Sequence, residues 1–290
     1  MWIIYALLAA AFFGARGIMY QWTSQKNINR NLMLFGVFFI GFIISANAMY
    51  LLDQQWNAWT DVLVGLALGL GSFVANAALH KGFSVGKASL ISILSGLPPL
   101  FVVLLAFLFW KETLTTQQLI GFIVIFAGLY TIRYSNDISF RNLQGAQWGL
   151  LAALCFAFND LLGKQSTRLD ADIFATLTLM FGFGSFLFAA SWLKNRKFAI
   201  NEDNDLRPRW SDMKTFSCGL VVGLTNVAGM IAILSAFAIG TTGLVSAISA
   251  MNILIILLYS RIFLKESFTA QEILGLTAAL LGILILRLSQ

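Results

Sequence analysis

Charge is what this sequence has least of. Only 11% of its 290 residues are Asp, Glu, Lys or Arg, against about 25% in an ordinary soluble domain. One histidine, two cysteines and no acidic cluster leave no set of metal ligands, and no cofactor is expected. Cys155 and Cys218 both lie within apolar runs, where they read as small buried hydrophobes. A Walker-type phosphate loop is missing, which argues against ATP-driven work by this chain. There is no sizeable polar domain either; the longest polar stretch runs from Lys194 to Lys214.

What fills the chain instead is hydrocarbon. Hydrophobic residues make up 59% of it, and the mean hydropathy is +0.81. Apolar runs recur that are long enough to cross ~30 Å of lipid as helices of about 20 residues. Ten spans are predicted, at roughly 2–20, 31–51, 60–80, 87–109, 115–134, 145–163, 172–193, 214–237, 241–263 and 269–288. The runs are unbroken where barrel strands would alternate over about ten residues, so the expected class is an all-α integral membrane protein. Trp2, Trp22, Trp56, Trp59, Trp110, Trp148, Trp192 and Trp210 cluster at span edges, as interfacial belts require. No positive segment precedes Trp2, so the first run reads as a retained span rather than a cleavable signal. The 26 phenylalanines read mostly as lipid-facing bulk.

The chain also repeats itself. Trp110-Lys-Glu-Thr-Leu-Thr-Thr-Gln-Gln-Leu-Ile-Gly121 is echoed by Leu264-Lys-Glu-Ser-Phe-Thr-Ala-Gln-Glu-Ile-Leu-Gly275. At an offset of 154 residues, Lys111, Glu112, Thr115, Gln117, Gly121, Gly128 and Arg133 match Lys265, Glu266, Thr269, Gln271, Gly275, Gly282 and Arg287. A helix-start corner with Thr as N-cap explains one copy, but not two with matching glycines downstream. Leu90, Ser92 and Ser95 fall on Leu244, Ser246 and Ser249 at the same offset. Trp2, Ala6, Leu8, Phe12 and Gly17 match Trp148, Ala152, Leu154, Phe158 and Gly163 at an offset of 146, and the Lys194–Lys214 loop is the natural place for the difference. Each repeat then holds five spans, over about 1–134 and 145–288. An odd-span unit followed by its copy inserts the copy upside down, the architecture of many secondary transporters.

The repeated corner, preceded by Ser95-Gly-Leu-Pro98-Pro99 and a phenylalanine-rich run, resembles the corner of an EamA repeat. Two such repeats in ten spans resemble the drug/metabolite transporter superfamily over nearly the whole chain. The resemblance implies secondary transport, often export of amino acids or other small metabolites, through a central cavity lined by both repeats. A small-molecule substrate and the lipid bilayer are the expected partners, and the transporter is either coupled to a proton as coupling ion or works as a facilitator. One departure is visible: Asn252 and Ile253 stand where the first repeat has Pro98 and Pro99. A proline kink is therefore expected in the fourth span and not in the ninth.

The net charge of +6 does not signal nucleic acid, because Lys and Arg sit in short loops that set topology. Taking side A as the N-terminal face, only Lys111, Lys164, Arg168 and Arg287 of the 19 basic residues fall there. The Lys/Arg excess puts side B in the cytoplasm and both termini outside, in the cell membrane. The resemblance pulls the other way, since relatives are usually drawn with both termini inside.

Ionisable residues within spans are expensive and are candidates for function by default. Arg16 lies toward side B, and its bidentate fork suits a carboxylate or phosphate unless it snorkels to the interface. Glu266 and Asp137 lie in side B corners as other partners. Asp160 and Lys164, toward side A, are spaced to pair on one helix face or to couple protons or gate. Small polar residues inside spans are candidate substrate ligands or packing contacts: Asn76, Ser92, Ser95, Asn159, Asn226, Ser246, Ser249 and Asn252, with Pro98 at the interrupted fourth span. Asn47 is a further polar residue within a span, and His80, beside Lys81 at a span boundary, reads as interfacial. The repeated corner itself reads as an end-fitting that touches no substrate.

A secondary transporter working by alternating access, in the direction of efflux, fits these features best, with a monomer as the expected state. An integral-membrane enzyme acting on a lipid-linked substrate needs a convergent catalytic set, which the residues do not supply. An uptake permease for sugars or nucleosides would share the same fold.

Overall fold

A computed structural model describes residues 1–24, 26–85, 94, 96–134, 145–198, 210–252, 255, 259 and 270–288. Ten helices lie among them: α1 (Trp2–Ser24), α2 (Arg30–Leu51), α3 (Trp59–Val85), α4 (Pro98–Trp110), α5 (Thr116–Tyr134), α6 (Ala146–Arg168), α7 (Ile173–Phe198), α8 (Asp212–Ile239), α9 (Thr242–Ser249) and α10 (Ala270–Leu288). Six of these, α1, α2, α3, α6, α7 and α8, are long and apolar enough to cross a membrane, and α4, α5 and α10 are shorter apolar helices.

Local chemistry sets the ends. The Asn29 side chain accepts from the Leu32 N–H at 3.2 Å, and Ser211 accepts from Lys214 at 3.3 Å, each an N-cap that satisfies a free backbone donor. At the repeated corner, Thr115 Oγ1 accepts from the Gln118 N–H while Gln118 Oε1 accepts from the Thr115 N–H, a reciprocal capping box. Lys111 ends α4 with a φ of 56°, a left-handed position that usually falls to glycine. α3 continues to Val85, past the boundary expected near residue 80, and α1 continues to Ser24.

The helices pack in a pattern that maps onto itself when each is exchanged with the one five places along. α2 packs on α7, α4 on α9 and α5 on α10; α1 packs on α8 as α3 does on α6, α2 on α8 as α3 on α7, and α1 on α9 as α4 on α6. Glycines bring several of these backbones together. A methyl at Gly128 would sit 2.6 Å from the Gly275 carbonyl oxygen, and one at Gly121 would meet Leu286 and the Gly282 carbonyl, so α5 and α10 run antiparallel. α2 and α7 also run antiparallel, with Gly41 against Phe181 and Gly184 against Phe38. Small residues at such seams let helices approach where no water drives them together.

The core is partly aromatic. Phe38, Phe181 and Phe188 are fully buried, and the rings of Phe38 and Phe188 lie 5.1 Å apart. The expectation of lipid-facing phenylalanine fits Phe107, Phe109 and Phe186, which are exposed, but not these three, which fill the space between α2 and α7.

The fourth and ninth spans share their interruption, against expectation. α4 starts at Pro98, and Gly96 before it lies in a turn. α9 ends at Ser249, with Ala250 and Met251 in a turn, and Ala250 is the residue 154 places after Gly96. The break in α9 needs no proline. Met251 donates to the Ile248 carbonyl at 3.0 Å, a tightened final turn.

Candidate functional site

Two polar clusters lie among these helices. The first joins α1 to α8 and α3. Arg16 is partly buried, donates to Asn226 Oδ1 at 2.5 Å, and has the rings of Phe13 and Tyr20 at 4.6 and 5.7 Å from its guanidinium carbon. Asn226 is midway along α8 and only 2% exposed. This is not a snorkelling geometry, because the guanidinium is held by a buried group at mid-helix. Glu266 and Asp137, weighed above as partners, lie outside the described residues. The Tyr20 ring is 5.5 Å from that of His80. His80 is buried instead of interfacial, since α3 extends beyond it to Val85.

The second cluster lies toward side A, around the turn between α8 and α9. Lys164 Nζ donates to the carbonyls of Phe237 at 2.6 Å and Gly240 at 2.9 Å. Helix ends leave such carbonyls without partners, and a cation there also complements the helix dipole. Glu112, in the repeated corner, accepts from the Thr242 N–H at 2.6 Å and from its hydroxyl at 2.8 Å, so it caps the start of α9. Ser246, one turn further on, donates to Asp160 at 2.5 Å. Asp160 and Lys164 therefore do not pair with each other, although their spacing allows it. Each has a better-placed partner on the α8–α9 segment.

The remaining candidates divide. Asn159 Nδ2 donates to Ser72 Oγ at 2.9 Å across α6 and α3, and Asn76 donates to the Ser72 carbonyl at 2.8 Å. The buried Oδ1 atoms of Asn76 and Asn159 have no hydrogen-bond partner. Ser249 donates to the Ser246 carbonyl at 2.9 Å, which completes the end of α9. Pro98 is buried at the first position of α4. The Asn252 carbonyl lies close to Gly14, where a methyl would approach it to 2.9 Å. Asn47 is exposed and donates to the Ile43 carbonyl of its own helix. Ser92 and Ser95 lie outside the described residues.

Sequence reasoning missed Tyr20, Ser72 and Thr242. Ser72 had a signal, since it occupies the position 154 residues before Asn226. Tyr20 sits one turn beyond Arg16 on the same helix face, which was also readable.

The profile of the EamA-like transporter family matches residues 1–134 and 143–288. The chain belongs to that family. An uncharacterized transporter, YxxF, of Bacillus subtilis (strain 168) is 28% identical over 187 residues, covering 63% of this chain and 59% of that protein. An uncharacterized protein of Methanocaldococcus jannaschii is 30% identical over 139 residues, 46% of this chain and 97% of its own length. A solved crystal structure shares the fold, with a TM-score of 0.75 over 98% of this chain and 96% of its own, at 12% identity. The EamA-like chain is thus a multi-pass helical membrane protein of a transporter family.

Proposed function

We propose that this chain is a secondary transporter that moves a small metabolite across the cell membrane by alternating access, in the direction of efflux. The observation that carries this reading is the packing of sequence-equivalent helices on each other. Gly128 meets Gly275, and Gly121 meets Gly282, so the repeat's two matching pairs, Gly121/Gly275 and Gly128/Gly282, meet crosswise. Helices related by the duplication that run antiparallel through the same glycines are what two inverted five-helix repeats, 1–134 and 145–288, require. The eight-residue offset change also finds support. Gly65 and Gly69 on α3 face Leu179 and Phe183, while Gly219 and Gly223, 154 residues later, face Met33 and Val37, 146 residues earlier. These contacts support an offset change between α7 and α8, where the Lys194–Lys214 loop lies.

Two near-equivalent halves provide two near-equivalent arrangements, one open to each side. Contacts from Glu112, Asp160 and Lys164 on the α8–α9 segment favour the arrangement closed toward side A. The polar cluster around Arg16 and Asn226, with Asn159, Ser72 and Asn76 across the equivalent α3–α6 seam, is the candidate substrate path. Asp160, the acidic group at the α6–α9 contact, is the candidate for coupling to protons. The Lys/Arg excess places side B in the cytoplasm.

Counterflow in proteoliposomes tests the reading. Purified protein preloaded with one metabolite should accumulate labelled external metabolite transiently, and a panel of amino acids, organic acids, sugars and nucleosides finds which. Failure across the panel, with folding shown by a cooperative thermal transition, would refute transport.

A further inference from the structure

We propose that Arg16, Tyr20 and His80, with Asn226 holding Arg16 in place, bind the oxyanion group of the transported substrate, a carboxylate or a phosphate. The proposal rests on the transporter reading and adds to it the class of substrate.

The cluster is rich in donors and poor in acceptors. A guanidinium offers five N–H donors, and Arg16 uses one of its nitrogens on Asn226. The aromatic faces of Phe13 and Tyr20 pack around it without competing for its remaining donors. No carboxylate among the described residues pairs with Arg16.

Two neighbours have polar atoms waiting. The Tyr20 hydroxyl and His80 Nε2 are buried without a hydrogen-bond partner, in residues that are 8% and 9% exposed. Native proteins rarely leave such atoms unmatched, and the exceptions call for an explanation. A hydroxyl and an imidazole beside Arg16 complement an acceptor that carries negative charge. A neutral sugar would need acceptors as well as donors, and a cation would meet like charge. Arginine's fork suits both carboxylate and phosphate. In hydrocarbon, a cation without an anion beside it is costly, so a partner that arrives and leaves accounts for the arrangement.

The test is thermal unfolding of the full-length protein in nanodiscs at constant ionic strength. L-Glutamate, pyruvate, inorganic phosphate and glycerol 3-phosphate are compared with glucose and tetraethylammonium. The expected result is a concentration-dependent rise in midpoint with at least one anion and none with the other two. A response to carboxylates alone assigns a carboxylic acid, and one to phosphates alone assigns a phosphate ester. Arg16→Gln should raise the apparent Kd on the order of 30-fold or more. Tyr20→Phe keeps the ring on His80 and loses only the hydroxyl, so about a 3- to 10-fold rise is expected. The proposal is overturned if no anion responds, if glucose or tetraethylammonium responds instead, or if the anion response survives Arg16→Gln unchanged. Should Arg16→Gln fail to fold, Tyr20→Phe decides, and an unchanged Kd overturns the site. Counterflow separates the two readings: anion binding without counterflow sinks transport but leaves the site, whereas counterflow of neutral or cationic solutes alone does the reverse.

Discussion

The two polar clusters differ in how completely their hydrogen bonds are made. Around the α8–α9 turn, Lys164, Glu112, Asp160, Thr242 and Ser246 all have partners within 2.9 Å. Around Arg16, a buried hydroxyl and a buried imidazole nitrogen have none. A fully satisfied network in a low-dielectric interior rigidifies what it holds, while a partly satisfied one is expensive unless something else completes it. Under the proposed reading, the first cluster is a fastening and the second a receptor. The fastening is only half repeated in the sequence, where Glu266 matches Glu112 and Ser92 matches Ser246. At the repeat-equivalent positions, Ile18 stands for Lys164 and Ala88 for Thr242.

The sharpest way to break this contrast is to unfasten the first cluster. Lys164→Met strips an ammonium from two helix-end carbonyls and should destabilise the protein by about 1–3 kcal/mol. It should also open side A. With Cys155 and Cys218 replaced by Ala, a cysteine at Thr241 should react faster with a membrane-impermeant maleimide in the Lys164→Met background than in the parent. Equal labelling rates would mean that the contact is not a closure.

Asp160→Asn should leave stability nearly intact, because the amide oxygen still accepts from Ser246. Under the proposed coupling role it abolishes uptake driven by a pH gradient while exchange persists in vesicles; an unchanged pH dependence removes Asp160 from the mechanism. Glu112→Gln keeps one acceptor for Thr242 but loses the second oxygen and a negative charge at a helix N-terminus. A loss of about 0.5–1.5 kcal/mol is expected by thermal unfolding. A loss as large as that of Lys164→Met would show the corner to be the main fastening. Asn47→Ala is the control, since that side chain bonds only within its own helix, and its effect should stay within about 0.5 kcal/mol.

Much of this architecture was readable because lipid leaves the chain few choices. Apolar runs of membrane length become helices, and the duplicated corner marks which helices correspond. The Thr115 cap was readable for the same reason, as its partner is only three residues away. What escaped were contacts made to backbone. Lys164 binds the carbonyls of Phe237 and Gly240, and a main-chain acceptor carries no residue signature, so its i,i+4 neighbour Asp160 looked like the partner. His80 was misplaced because an apolar helix gives no sign of its end, and α3 runs five residues beyond it. The interruption of α9 escaped for a different reason. Proline announces a break, whereas Ala250 and Met251 break the helix with ordinary side chains.

That interruption has a mechanical side. α9 has eight residues, about 12 Å at 1.5 Å per residue, so it stops well short of a bilayer's width. Loose backbone at such depth is tolerated only where protein or water satisfies it. Here the Ser246 carbonyl receives both the Ala250 N–H and the Ser249 hydroxyl, and the Ile248 carbonyl receives the Met251 N–H. These bonds close within the last turn and do not reach across to the next segment. A bend just past this turn breaks none of these bonds.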